Sequence, residues 1–491
     1  MEAMDCHARR HPDVRHAWAI MLGPGCVRVC FMEPNAIHLS AVQSTDSRAG
    51  RLLLGAAVAN AALSESWRLG ADPTMKWYES IERWVIKCPG ADGEPAEIFY
   101  APREPKFIAG SFFGRFTRCF AVALNYNNTE FGFILKDSWQ LVSTDLEDAD
   151  LSDEICVLRN MRDKLATVKC KSAELQRMVT GGTVLINNTR DSTQLMLGTK
   201  LGDNARGTAI HGSRRGTSAH RLHRRMVSGP IGVPLHKITN DRDAAATVAG
   251  AMSSHTTILR ETGILHRDIS LGNVLSVRHA DGSVRGMLID FDHSIAFNDK
   301  RNQEKPICVG TKPYMSIANL EGIDVARTSI DDWEAALALL LCWAAHPWCR
   351  KELRAKLGSV GPNRSADLRR KLFASRESLE ATISAYIDPA CKHTLRLIRG
   401  LYEALFEHPS CSGTAHATLC GNRWTDPIKY RAQLSAKIEE RCFKVVTEYL
   451  SAYATEFMVE HLVEYLVKSD SEASPTLVAQ SELQPSPILP V

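Results

Sequence analysis

His266-Arg267-Asp268-Ile269-Ser270-Leu271-Gly272-Asn273 is the stretch that most narrows what this chain can fold into, because Asp290-Phe291-Asp292 begins seventeen residues after Asn273. An apolar run, Met287-Leu288-Ile289, leads into Asp290 and reads as a strand. The spacing H-R-D-x-x-x-x-N, followed by a strand ending in Asp-Phe, brings two carboxylates and one amide to a single point. Such a set suits transfer of a phosphoryl group, whose transition state needs charge neutralisation and in-line positioning more than covalent help. Asp268 is the candidate to accept a hydroxyl proton. Asn273 and Asp290 offer the neutral and the anionic oxygen that a hard Mg²⁺ ion prefers. H-R-D alone would be a weak signal; a helix predicted before it and a strand before Asp-Phe make the joint pattern specific.

Composition agrees with an ordinary enzyme. At 491 residues, 44% hydrophobic and 23% charged, the chain has room for about two to four domain-sized units. Its net charge of +3 is too small to point to a nucleic acid or a membrane surface. The 14 cysteines are scattered without a C-x-x-C pair, which favours reduced thiols and an intracellular setting, cytoplasmic or nuclear. Glu2, Asp5, Arg9 and Arg10 precede any apolar run, so the N-terminus does not read as a secretory signal. The longest apolar stretch, 335–345, is too short to span a bilayer.

Residues 1–22 carry little pattern. From 26 to 42, Val27, Val29 and Phe31, then Ile37 and Leu39, alternate around Glu33-Pro34-Asn35 and predict a hairpin. A Leu- and Ala-rich segment, 49–69, predicts a helix stopped at Gly70. The period then changes to two. Strands are expected at 81–87, 96–101, 106–109, 117–124 and 130–136, an antiparallel set of the kind that covers a nucleotide. Between the third and fourth lies Gly110-Ser111-Phe112-Phe113-Gly114-Arg115-Phe116-Thr117. Gly110 and Gly114 would let the backbone approach phosphate, although the loop lacks G-x-G-x-x-G and a plain hairpin turn is the alternative. Lys136 closes the strand Phe133-Ile134-Leu135-Lys136, where a phosphate-binding ammonium would sit. A helix over 151–165, buried through Ile155, Leu158, Met161 and Leu165, would present Glu154 to Lys136 in preference to Asp153.

Residues 171–223 are the least legible. Between 202 and 225 a single acid, Asp203, stands against Arg206, Arg214, Arg215, Arg221, Arg224 and Arg225. That reads as an exposed basic insertion, with docking of an acidic partner as the alternative to a merely solvated loop. Residues 226–235, with Gly229, Pro230, Gly232 and Pro234, form an extended connector suited to a hinge. Asn240 or Asp241 caps a helix to Thr262, ended by Gly263, which delivers the 266–273 loop. Asp332 begins a strongly apolar helix suited to anchoring that loop from below. The chain to 468 is mostly helical, and the Pro-rich tail 469–491 is expected to be disordered. His408, Cys411, His416 and Cys420 have zinc-ligand types but not zinc spacing, so a polar loop is preferred.

At His266-Arg267-Asp268-Ile269-Ser270 the chain resembles the eukaryotic protein kinases, and more narrowly the fungal-type protein kinase family. The resemblance extends over Ile289-Asp290-Phe291-Asp292, Gly310-Thr311-Lys312-Pro313-Tyr314-Met315-Ser316, Leu135-Lys136-Asp137-Ser138-Trp139 and Ser228-Gly229-Pro230-Ile231-Gly232, and so over about 26–345. It implies an α+β, bilobal kinase-like fold with a small antiparallel-sheet N-lobe and a mainly helical C-lobe. On that basis 1–105 is a hairpin and helix region particular to the family, 106–230 the N-lobe with the basic insertion, and 231–468 the C-lobe. The resemblance also implies ATP and Mg²⁺ as cofactors. Lys136 would hold the α- and β-phosphates, Glu154 would pair with it, Asp268 would be the base, and Asn273 and Asp290 would bind the metal.

Three departures stand out. Ser270 replaces a phosphate-contacting Lys, Asp292 replaces the Gly after Asp-Phe, and Ala318 stands where a Glu would close the activation segment, so a looser segment is expected. Between Asp290 and Thr311 only Ser294 can be phosphorylated, so Arg267 is expected to pair with Asp299 or Glu304 rather than with a phosphate. The sequence thus reads as a protein kinase acting on an intracellular protein, serine/threonine ahead of tyrosine. Two rivals remain: a pseudokinase or binding scaffold, and a small-molecule phosphotransferase. The segment Gly310 to Tyr314, a platform for peptides, opposes the latter.

Overall fold

Short runs of alternating burial give the N-terminal half its sheets, and a helical period near residue 240 gives the C-terminal half its helices. The computed structural model describes residues 6–7, 10–34, 36–90, 94–142, 154–166, 174–197, 220–299, 309–320, 327–358, 362–407 and 427–472. Strands β1 (Ala17–Gly23) and β2 (Cys26–Met32) form a hairpin, and β3 (Ile37–Leu39) and β4 (Gln43–Ser44) pair with β2. The β2–β3 turn falls at the Pro34 signal, whereas β1 lies in a stretch that shows no alternation. Helix α1 (Arg48–Leu63) starts at Ser47, whose side chain accepts from Gly50 N, and ends at Leu63 rather than at the expected 69. Strands β5 (Met75–Tyr78), β6 (Arg83–Cys88) and β7 (Glu97–Ala101) make a second antiparallel sheet.

The sheet that matters for the site has five strands. β8 (Phe107–Ile108), β9 (Arg118–Val122) and β10 (Phe133–Val142) are followed by α2 (Glu154–Leu165) and β11 (Arg177–Thr183). The small hairpin β12 (Leu185–Ile186) and β13 (Thr189–Arg190), then α3 (Thr193–Leu197), lead towards β14 (His220–Gly229). The antiparallel order is β11-β14-β10-β9-β8. Of the residues 171–223 read as an exposed insertion, 174–197 and 220–223 are described, and there the reading is corrected: β11 and the start of β14 are part of the sheet. Arg225 on β14 is fully buried and Arg224 is 8% exposed, so neither belongs to a basic docking surface. Arg206, Arg214 and Arg215 lie outside the described residues.

Beyond the connector, β15 (Val233–Pro234) precedes α4 (Asp241–Thr262), whose ends follow the sequence signals. Asn240 Oδ1 accepts from Asp243 N at 3.0 Å, and Gly263, at φ +73°, donates to Leu259 O at 2.8 Å. After α4 come β16 (Ile264–Leu265), the hairpin β17 (Val274–Arg278) and β18 (Val284–Leu288), and β19 (Ile295–Ala296). The small residues of α4 let β18 lie directly on it. A Cβ at Gly286 would meet Thr247 O at 1.8 Å, so only glycine permits this approach. The core continues through α5 (Ile317–Leu320), α6 (Ser329–Ala344), α7 (Arg350–Gly358), α8 (Pro362–Leu372), α9 (Arg376–Tyr386), α10 (Lys392–Phe406) and α11 (Pro427–Glu472). No described helix is long and apolar enough to cross a membrane. The 408–420 cysteine and histidine set and residues 473–491 fall outside the described residues.

The N-terminal region is joined to the five-stranded sheet by buried charge. Asp137 on β10 accepts from Arg118 Nη2 at 3.0 Å, from Arg225 Nη2 at 3.1 Å and from His223. Arg225 Nη2 also reaches Asp72 at 2.8 Å; His223 Nδ1 faces Asp191 at 2.9 Å, and Arg15 Nη1 meets Asp191 at 2.5 Å. Every side chain in this network is at most 2% exposed. With a carboxylate at each ring nitrogen, His223 is held as the doubly protonated donor. Burial opposes that charge, but Asp137 and Asp191 outweigh it and raise the His223 pKa above the ordinary 6.5.

A raised histidine binds a proton in the native state that the unfolded chain has released. Its contribution is therefore full below pH 6.5 and is lost as pH rises through the folded value. His16 acts at lower pH and in the opposite sense, since burial and then Arg15 hold it down to about 4. The His223 share of the stability is expected to fall above pH 6.5 by at most about 1.4 kcal/mol per pH unit, on top of the loss that the raised Glu154 adds up to about pH 8, so the slope should be shallower in His223→Gln. Urea melts at about pH 6.5, 7.5 and 8.5 read the effect; parallel slopes for the two proteins would refute it.

Candidate active site

Along a strand, successive side chains face opposite ways, and β10 uses both faces. Leu135 and Asp137 are fully buried on one side, while Lys136, Ser138 and Gln140 line the cleft with Glu154 and Met226. β10 does not close at Lys136 but runs on to Val142, which brings Gln140 into the cleft. Lys136 Nζ donates to Glu154 Oε2 at 2.5 Å, to Asp290 Oδ1 at 2.6 Å and to Asp292 Oδ2 at 3.0 Å. Glu154, the first residue of α2, also accepts from Phe291 N at 3.0 Å, tying helix, strand and Asp-Phe turn together.

Asp292 is the site residue that the sequence reading passed over. It meets Lys136, accepts from Gln140 Nε2 at 2.9 Å and pairs with Arg115. The available signal was the departure itself, a carboxylate where glycine was expected. Left-handed backbone occurs two residues earlier, at Asp290 with φ +67°. Three carboxylates thus share two cations. Burial disfavours ionising Asp290, yet Lys136 and Arg115 outweigh it and hold the group well below the usual carboxylate range. Burial likewise works against the Lys136 ammonium, and Asp290, Asp292 and Glu154 more than reverse this, so Lys136 stays charged. Glu154 is pushed up to about 8, by burial first and then by Asp292 and Asp290 against the pull of Lys136.

The 266–273 loop is held from below, as expected, by Asp332 of α6. Asp332 accepts from His266 N at 3.1 Å and Arg267 N at 2.9 Å, and His255 Nε2 lies 2.8 Å from it. These bonds hold Arg267 at φ +69°, a conformation costly for a side-chain-bearing residue. Asp268 Oδ1 accepts from Thr311 N at 2.7 Å and Thr311 Oγ1 at 2.8 Å, while Oδ2 accepts from Asn273 Nδ2 at 2.9 Å. Gly310, at φ +116°, lets this segment come so close: a Cβ there would sit 2.9 Å from Arg267 O. Ile289 N donates to Asn273 O at 3.0 Å, and His266 Nε2 faces Ile289 O at 3.0 Å, so Asn273 and the Asp290 turn are locked side by side.

Two expectations need correction. Of the two glycines in the 110–117 loop, Gly114 does not lay its amide open to a phosphate: its N–H is committed to Pro34 O at 2.8 Å. Phe112 and Phe116 are buried with Ala17, Cys30, Met32, Ile37 and Trp139 beneath the N-terminal sheet. What the loop sends into the cleft is the Arg115 side chain. The segment after Thr311 is also not loosened by Ala318. Ile317 N donates to Glu334 Oε2 at 3.0 Å, and Ser316 Oγ to Asp331 Oδ1 at 2.6 Å. Fully buried Arg369 donates to Leu357 O at 3.0 Å and to the carbonyls of Pro313 and Met315. Burial lowers Arg369 to about 10, with Glu334 partly offsetting it. Of the two acids expected to pair with Arg267, Glu304 lies outside the described residues; Asp299 donates its backbone N–H to Ala296 O at 2.9 Å.

The donors present suit Mg²⁺. Glu154, Asp290 and Asp292 each offer a carboxylate oxygen, and these atoms lie within 4.8 Å of one another. Asn273 commits its amide nitrogen to Asp268, which leaves its oxygen as the ligand atom.

A comparison with curated proteins returns no match. Among solved structures the chain is similar to a ROP18 kinase domain in complex with AMP-PNP and sucrose. The two are 15% identical with a TM-score of 0.40, over 76% of this chain and 87% of that one. A likeness of that strength adds nothing to the two-lobed arrangement described above. The family model described as fungal protein kinase matches residues 41–344, from the end of β3 through α6, and so spans Lys136, Glu154, Asp268, Asn273 and Asp290. A match over more than half the chain that encloses the whole cleft places this protein in the fungal protein kinase family.

Proposed function

We propose that the chain is an ATP- and Mg²⁺-dependent protein kinase acting on hydroxyls of an intracellular protein, serine or threonine in preference to tyrosine. The observation that carries the reading is the pairing of Lys136 with both Glu154 and Asp290, beside an Asp268 whose two oxygens are fixed by Thr311 and Asn273. When bound, Mg·ATP supplies the γ-phosphoryl group and the cationic charge that screens it. Lys136 would orient the α- and β-phosphates, with Glu154 keeping its ammonium aimed. Asp290 and Asn273 would hold the metal. Asp268 would take the proton from the acceptor hydroxyl. Thr311 packs the segment to within 2.7 Å of Asp268, which supports a short acceptor side chain over a phenol. Ser270 adds no charge, so a modest turnover is in keeping with the site.

A second reading, a nucleotide-binding scaffold without transfer, is favoured by the committed amide of Gly114. The deciding assay follows labelled γ-phosphate from Mg·ATP into the protein itself and into generic protein substrates, beside Lys136→Met. Incorporation reduced about 100-fold or more by that substitution is the expected result. No incorporation by wild type, together with Mg²⁺-dependent stabilisation by ATP, would make the scaffold the better reading.

A further inference from the structure

Arg115 reaches the acids of the cleft from a loop that cannot move far. Its carbonyl accepts from Trp139 N at 2.7 Å, Gly114 N–H is bound to Pro34 O, and Phe112 and Phe116 anchor the loop on either side. The side chain itself is 38% exposed, so it borders open space where the backbone is tied down. It pairs with Asp292 and lies 3.9 Å from Asp290 Oδ1, in the space that a cation on those two carboxylates would enter. A guanidinium and a divalent ion cannot both hold that position, by charge or by volume. With the Gly114 amide spent on Pro34, the loop offers a phosphate one glycine amide fewer.

Resting on the kinase reading above, we infer that Arg115 is an exchangeable counter-ion: it neutralises Asp292 and Asp290 in the empty cleft and turns its guanidinium onto the nucleotide phosphates once the metal holds those carboxylates. The fixed backbone keeps the phosphates within reach of the same side chain, and the planar fork suits two phosphate oxygens at once. Arg115 would thus do with a side chain what glycine-loop amides do elsewhere.

The two roles have opposite signs. Titration calorimetry on the full chain, with MgCl₂ alone and then with Mg·ATP, compares wild type with Arg115→Ala and Arg115→Lys. Arg115→Ala is expected to bind Mg²⁺ alone about threefold or more tightly, having lost a competitor, and to bind Mg·ATP about tenfold or more weakly. Arg115→Lys should fall between on both. Weakening of both affinities would mark a merely structural arginine, and no change in either would mark an idle one; each overturns the inference. Wild-type protein that binds no Mg·ATP would instead overturn the kinase reading and the phosphate half of this one with it.

Discussion

Asp137→Ala is expected to destabilise the protein by about 3–5 kcal/mol, a large fraction of what a domain has to lose. The substitution removes the acceptor shared by Arg118, Arg225 and His223, all fully buried, and leaves three cationic groups with Asp72 and Asp191 as their nearby acids. The loss is one of uncompensated charge among fully buried side chains, not of one hydrogen bond. Asp137→Asn keeps an acceptor oxygen and should cost less, which separates the charge from the packing. Because Asp137 follows Lys136 on β10, the damage falls on the strand that positions the cleft, and nucleotide binding should weaken together with stability. Trp139 stacks on His223, with rings 4.5 Å apart at 11°, so tryptophan fluorescence in a urea melt follows this neighbourhood. A loss below about 1 kcal/mol would show that the network is not what binds the N-terminal region to the sheet.

That network also marks the limit of what the sequence displays. The ends of α4 were legible because capping is local: Asn240, Asp243 and Gly263 act within a turn of the residues they terminate. The approach of the 266–273 loop to the Asp290 turn was legible because its spacing is local too. Arg15, Asp72, Asp137, Asp191 and Arg225 stand far apart in the chain, and nothing in a single sequence says that Arg225 belongs with Asp72 rather than with the basic run around it. Composition therefore misassigned β14 to an exposed insertion. The same reasoning explains Arg115. In a loop with two glycines and three phenylalanines it reads as a loop residue, and only the burial of Phe112 and Phe116 under a separate sheet, with its pairing to Asp292, reveals where it is aimed. Ala318 misled for a further reason, since the missing carboxylate is supplied by Glu334, sixteen residues on and a turn and a half into another helix.

Asp268→Asn is expected to reduce phosphate transfer by about 10²–10⁴-fold while leaving Mg·ATP affinity within about threefold. The change keeps the shape of the side chain and one acceptor oxygen. It removes the lone pairs needed to accept a proton, and it sets an amide NH₂ against either Thr311 N or Asn273 Nδ2, both of which now donate to the carboxylate. The metal and phosphate contacts assigned to Asp290 and Lys136 do not run through Asp268, and Asn273 Nδ2 keeps its bond to the Asp268 backbone O at 2.9 Å, so binding should survive where turnover does not. Lys136→Met should show the converse bias, with the apparent KM for Mg·ATP rising as well as kcat falling, because Lys136 is bonded to Glu154, Asp290 and Asp292 together. The contrast between the two variants carries the assignment. An Asp268→Asn protein that keeps transfer within about tenfold of wild type would show that this carboxylate orients the loop without accepting the proton, and the base would have to be sought elsewhere in the cleft.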